Sequence, residues 1–82
     1  MVRLKFSPEI ARLMEETIRH PSQILEKQVD GSVIMTLEVF YTYELVTWIL
    51  GWDEKVEVLE PVELRKEVLR NAKAMVNIYQ KK

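Results

Sequence analysis

Two periodicities alternate along this chain, and their order restricts the fold to a few topologies. Val2, Leu4 and Phe6 alternate with Arg3 and Lys5, the period of a strand with one buried face. Ile10, Leu13, Met14, Thr17 and Ile18 then recur at helical spacing and make one apolar stripe. Ser7-Pro8-Glu9 separates the two segments. Ser7 is suited to cap free backbone N–H groups, and Pro8 fits the first helical position. Pro21 ends the helix and holds His20 extended before it.

Ile24 to Val29 reads as a second strand, and Asp30-Gly31 as a hairpin turn, since both residues tolerate positive φ. Val33, Met35, Leu37 and Val39 alternate through a third strand. A two-residue loop sets Gln28 opposite Val33, and a three-residue loop sets Val29 there. The second register is preferred because it faces Leu25 with Leu37, and a slip of one residue would flip the whole strand. Thr42 caps a second helix, with Glu44 near its positive end. Leu45, Trp48, Ile49 and Trp52 share a face of it, and Gly51 is its stop. Lys55 to Glu60 is a fourth strand with Val56 and Val58 on one side. Pro61 opens a last helix, whose stripe is Leu64, Val68, Ala72, Met75 and Tyr79, with Leu69 and Val76 beside it.

The order βαββαβ plus a C-terminal helix predicts an α+β, ferredoxin-like domain: a four-stranded antiparallel sheet with both helices on one face. The other face is left open. Arg3 and Lys5 fall on it, with Ile34, Thr36, Glu38 and Phe40 from the third strand. The final helix either covers this face or docks elsewhere.

Eighty-two residues make one domain, 1–82, and a chain of this size buries only about 60–65% of its unfolded surface. A first strand that begins at residue 2 has almost no lead-in, so the chain is expected to be cut from something longer. The apolar share of 48% fills one core, and the charge is mixed in sign with a net of −1. That balance disfavours a strongly basic nucleic-acid module. Cysteine is absent, which excludes disulfides and thiolate metal sites and fits a cytoplasmic protein. No apolar run approaches the roughly 20 residues of a membrane span, and the N-terminus carries no secretory signal.

Candidate sites are few. His20, the one histidine, stands beside Pro21, Ser22 and Gln23; alone it builds no metal site, and as a base it would need an orienting partner. Its plainer role is to bond the loop backbone. Trp48 belongs to the core by its spacing, whereas Trp52, past the glycine, divides between core and rim. Lys66, Arg70 and Lys73 line one side of the last helix, with Lys81 and Lys82 beyond. Glu63 and Glu67 interleave with them, so this reads as a solvated helix face. No phosphate loop, serine elbow or recognisable carboxylate dyad is present, and no cofactor is implied.

Five segments taken in order carry a resemblance: Phe6-Ser7-Pro8-Glu9, His20-Pro21-Ser22-Gln23, Asp30-Gly31-Ser32, Trp48-Ile49-Leu50-Gly51-Trp52, and Val56-Glu57-Val58-Leu59-Glu60-Pro61 with Glu63-Leu64-Arg65. Together they resemble the C-terminal extension, or WCX domain, of bacterial WYL-domain transcriptional regulators, over nearly the whole chain. The resemblance implies a non-catalytic regulatory module, ferredoxin-like in fold, that senses an effector or forms a dimer. It implies partners as well: the WYL and helix-turn-helix domains of a parent chain, a second subunit, and a small-molecule or nucleic-acid effector. Arg3, Lys5, His20, Gln23 and Trp52 are the candidate contacts. Asp53 stands where the family often has glycine, and Asp also adopts a left-handed conformation. The alternative is an ACT-like amino-acid-binding regulatory domain, disfavoured because Ser7-Pro8-Glu9 lacks the glycine of that binding turn. An acylphosphatase-like hydrolase is disfavoured too, because Arg12 lies in a helix instead of a phosphate loop.

Overall fold

The computed structural model describes residues 1–81. Its elements are β1 (Val2–Phe6), α1 (Pro8–Glu15), β2 (Ile24–Lys27), β3 (Val33–Leu37), α2 (Tyr43–Leu50), a short 3-10 turn (Asp53–Lys55), β4 (Val56–Glu60) and α3 (Val62–Gln80). The strands form one sheet in the order β2-β3-β1-β4, every neighbour antiparallel. This is the expected βαββαβ layer with an added helix. Its inner face carries Val2, Leu4 and Phe6 from β1, and Val33, Met35 and Leu37 from β3, all buried. Met14 of α1, Leu45 and Ile49 of α2, Val58 of β4 and Leu64 of α3 close the same core. Each large buried side chain contributes about 1.5–3 kcal/mol by leaving water.

The strand and helix ends follow from local chemistry. Thr42 caps α2 as expected: its Oγ1 accepts the N–H of Leu45 at 3.3 Å. Ser7 acts differently from expectation. Its side chain makes no capping bond; its carbonyl accepts the N–H of Ile10, and its own N–H donates to the Lys55 carbonyl. That second bond ties the exit of β1 to the start of β4. Gly51 ends α2 in a right-handed conformation, φ −65°, and the left-handed turn falls two residues later, at Asp53 with φ +60°. The aspartate therefore takes the conformation that glycine would take there, as its chemistry allows.

Helix α1 is shorter than its apolar stripe. It ends at Glu15, and Ile18, placed on the stripe by spacing, is fully outside the core. Ala11 and Met14 are its buried contacts, while Leu13 is exposed. The hairpin register differs from both alternatives. Lys27 pairs with Val33 and Leu25 with Met35, leaving Val29-Asp30-Gly31 as the loop between Gln28 and Ser32. Gly31 takes φ +90°, the left-handed residue that closes a three-residue hairpin loop. Leu25 still faces inward, so the preferred face holds although its partner shifts by two. Glu38 and Phe40 were expected on the open sheet face but lie past the end of β3.

Helix α3 leaves the open face uncovered and packs beside β4 and α2. Arg65 joins it to the sheet: Nη1 donates to the Val58 carbonyl at 2.6 Å and to Glu57 Oε2 at 3.4 Å. An edge carbonyl that would otherwise invite another strand is thereby occupied. Leu64 is fully buried and Val68 packs against the core, but the stripe then runs clear of the body. Met75 is 50%, Val76 52% and Tyr79 79% exposed, so the apolar stripe read from sequence meets the core only in its first turns. Lys81 follows the helix; Lys82 lies outside the described residues.

Candidate functional site

The five candidate residues fall in three places. Arg3 and Lys5 point to the open face of the sheet, where each has an acidic neighbour. A bulge at Leu59 sets Arg3 opposite Glu60, and Nη1 meets Glu60 Oε2 at 3.1 Å. Lys5 Nζ lies 3.9 Å from Asp30 Oδ2. The Asp30 carboxyl also accepts the N–H and hydroxyl of Ser32, at 2.9 and 2.6 Å. These bonds from Ser32, aided by Lys5, hold its pKa below the ordinary value. The open face is thus charge-balanced rather than basic.

His20 and Gln23 lie in the loop between α1 and β2, and the loop uses both. Gln23 Oε1 accepts the Arg19 N–H at 2.7 Å and its Nε2 donates to the Thr17 carbonyl at 2.6 Å. His20 Nδ1 accepts the Ser22 N–H at 3.1 Å and stands 2.8 Å from Ser22 Oγ. Ser22 Oγ in turn accepts the N–H of Glu38 at 2.9 Å. The Ser22 hydroxyl proton therefore points to the imidazole, and in the neutral ring the proton sits on Nε2. The expected loop role of His20 is met by one ring nitrogen; the other is left as a donor.

Trp52 sits in an aromatic corner on the inner face. Its ring is 6.5 Å from Phe6 and 6.0 Å from Trp48, each edge to face, and Trp48 is 6.0 Å from Phe6. Its indole Nε1 is buried with no hydrogen-bonding partner in the described residues, as is Ser7 Oγ. Trp48 is half-buried rather than enclosed, and the Arg19 guanidinium lies over its ring at 5.2 Å. Such a contact is worth about 0.5–1 kcal/mol at an exposed position.

Two concave features stand out. The larger is an apolar groove of about 470 Å³ between α2 and the outer half of α3, walled by Ile49, Leu50, Val56, Val68, Met75 and Tyr79. The smaller, about 160 Å³, opens where the α1–β2 loop meets the segment between β3 and α2. Arg19 and Phe40 line the latter and were not singled out by sequence as site residues. Arg19 carried no pattern signal, and Phe40 was assigned to the opposite face. No group of three His, Asp or Glu side chains stands close enough to hold a metal among the described residues. No described helix is long and apolar enough to cross a membrane.

Comparison with known proteins adds the family. The model of the WCX domain matches residues 1–76, and the chain belongs to that family, the C-terminal extension of WYL-domain regulators. A search of curated proteins finds no match to the chain.

Proposed function

We propose that this WCX domain is the regulatory and dimerising module of a bacterial helix-turn-helix/WYL transcriptional regulator. It acts by allostery on DNA binding carried out by other domains. The observation that carries this reading is the outer half of α3, a helical stripe of large apolar side chains that the described residues leave half or more exposed. Contiguous exposed apolar patches are uncommon on monomers and commonly serve as interaction surfaces.

The occupant is the second subunit. Leu69, Ala72, Val76 and Tyr79 recur in steps of three and four, the spacing of a helix–helix seam. An antiparallel pair of these helices sets Leu69 against Tyr79 of the second copy and Ala72 against Val76. The same stripe is then complementary to itself, as a two-fold interface requires. Lys73 approaches its own copy near the axis, so added salt, which screens that repulsion, tightens the dimer. An effector that fits one arrangement of the paired subunits better than another biases the DNA-reading domains by that difference in affinity. Arg3 and Lys5 on the open face are the contacts for the adjoining domain of the parent chain.

The test is made in the intact regulator. Val76→Glu with Tyr79→Glu places charge in the seam without touching the core. Loss of dimerisation together with loss of effector-dependent operator binding is the expected result. A variant that stays dimeric and responsive would remove this reading.

A further inference from the structure

The small cavity beside His20 has the chemistry of a binding site. Its floor is apolar, made by Leu37, Val39 and Leu45. Its polar side chains are Arg19, His20 and Thr42, each able to donate. Arg19 makes no ion pair among the described residues, and its guanidinium is held over the Trp48 ring. His20 presents the Nε2–H, because Nδ1 is committed to Ser22. The Thr42 hydroxyl oxygen accepts the Leu45 N–H, which leaves its proton free to donate. No carboxylate lines the cavity, so Arg19 is its only fixed charge. Phe40, 97% exposed at the mouth, has no packing partner to lose when it turns over a bound molecule.

We propose that this cavity binds a short aliphatic carboxylate. The volume of about 160 Å³ equals that of about five waters, or five to six non-hydrogen atoms. That accommodates the carbon chain of an acid of three to five carbons, with the two carboxylate oxygens projecting at the rim. Arg19 pairs with the carboxylate through its planar fork, and His20 Nε2–H and the Thr42 hydroxyl donate to the remaining lone pairs. The branched tail lies on Leu37, Val39 and Leu45. Gln23 is a positioning residue here. By fixing the Arg19 backbone and the Thr17 carbonyl, it sets the loop that carries the Arg19 and His20 side chains. The binding stands apart from the α3 seam; only the identification of this ligand as the regulator's effector rests on the reading above.

The probe is isovalerate, titrated into the isotope-labelled chain and followed by amide and indole N–H shifts in two-dimensional NMR. A ligand this small binds in the millimolar range, so titration runs to about 10 mM. Saturable shifts confined to residues 19–22, 37–45 and the Trp48 indole are expected. Isovaleramide, the uncharged isostere, binds at least about tenfold more weakly, as does isovalerate to Arg19→Gln, whose site is exposed and whose fold is retained. His20→Phe, which keeps ring volume and removes the donor, weakens binding less than Arg19→Gln does. No saturable shift to about 10 mM, or equal affinity for acid and amide, overturns the proposal. Dimerisation unaffected by isovalerate leaves the binding result standing and counts only against its role as effector.

Discussion

At the scale of single residues, two positions carry unusual backbone and one carries unusual charge. Gly31 sits at φ +90°, and a Cβ built there meets Pro8 Cβ at 3.3 Å. Gly31→Ala therefore combines left-handed strain with a close contact, and a loss of about 1–2 kcal/mol in chemical denaturation is expected. Asp53 at φ +60° is the reverse case, since glycine removes strain: Asp53→Gly leaves the denaturation midpoint unchanged or raises it, by up to about 1 kcal/mol. Asp30 couples the hairpin to pH. Its folded pKa is lowered by Ser32, so its contribution is complete above the ordinary carboxylate range and is lost as pH falls through the lowered value. In denaturation midpoints followed from neutral pH into strong acid, Asp30→Asn is expected to show a shallower acid decline than wild type. The Asp-Gly pair was readable as a turn because glycine accepts the left-handed backbone that Gly31 takes. The preferred loop length of three residues is the one found, but its position along the chain is shifted by one, since Gln28 and Val29 carry no signal that distinguishes a closing pair from a loop residue.

The elements show where periodicity is a sufficient guide and where it stops. Strands β1 and β3 matched their alternation because each has a fully buried face and strict period two. Edge strand β2 is mostly exposed, so its pattern set a face but no register. Helix α1 ended early because Thr17 Oγ1 turns back to the Leu13 carbonyl and Gln23 draws the following backbone into a loop. Pattern alone sees neither bond. Helix α3 is the plainest case. Its stripe is continuous in sequence, yet only its first turns meet the core. Leu64→Ala is expected to lower the unfolding free energy by about 2–5 kcal/mol, the range for emptying a core position. Tyr79→Ala on the same stripe is expected to change it by no more than about 0.5 kcal/mol when measured at concentrations where the chain is monomeric. The pair of values separates a core helix from a helix that projects. Among the candidate residues, His20 was expected to bond the loop backbone, and both it and Gln23 do so. Arg19 escaped because its role depends on Trp48, 29 positions away.

For the whole molecule, the features of the α+β layer point outward at α3. The molecule extends 42 × 26 × 18 Å, and its longest element is the 19-residue helix α3, about 28 Å long. The sheet's edge at β4 is closed by Arg65, and the open face is balanced by paired charges, so neither offers the apolar area of the helix. The WCX assignment names a regulator's extension; in the proposed reading, the projecting stripe is the surface that joins two subunits. Sedimentation velocity of the chain over a range of concentrations, wild type beside Val76→Glu with Tyr79→Glu, is the most direct measurement of that claim. The account predicts a monomer–dimer equilibrium for wild type that strengthens with salt, and a monomer with unchanged circular dichroism for the variant. A wild-type chain that remains monomeric at all concentrations, or a variant that dimerises equally well, would contradict it.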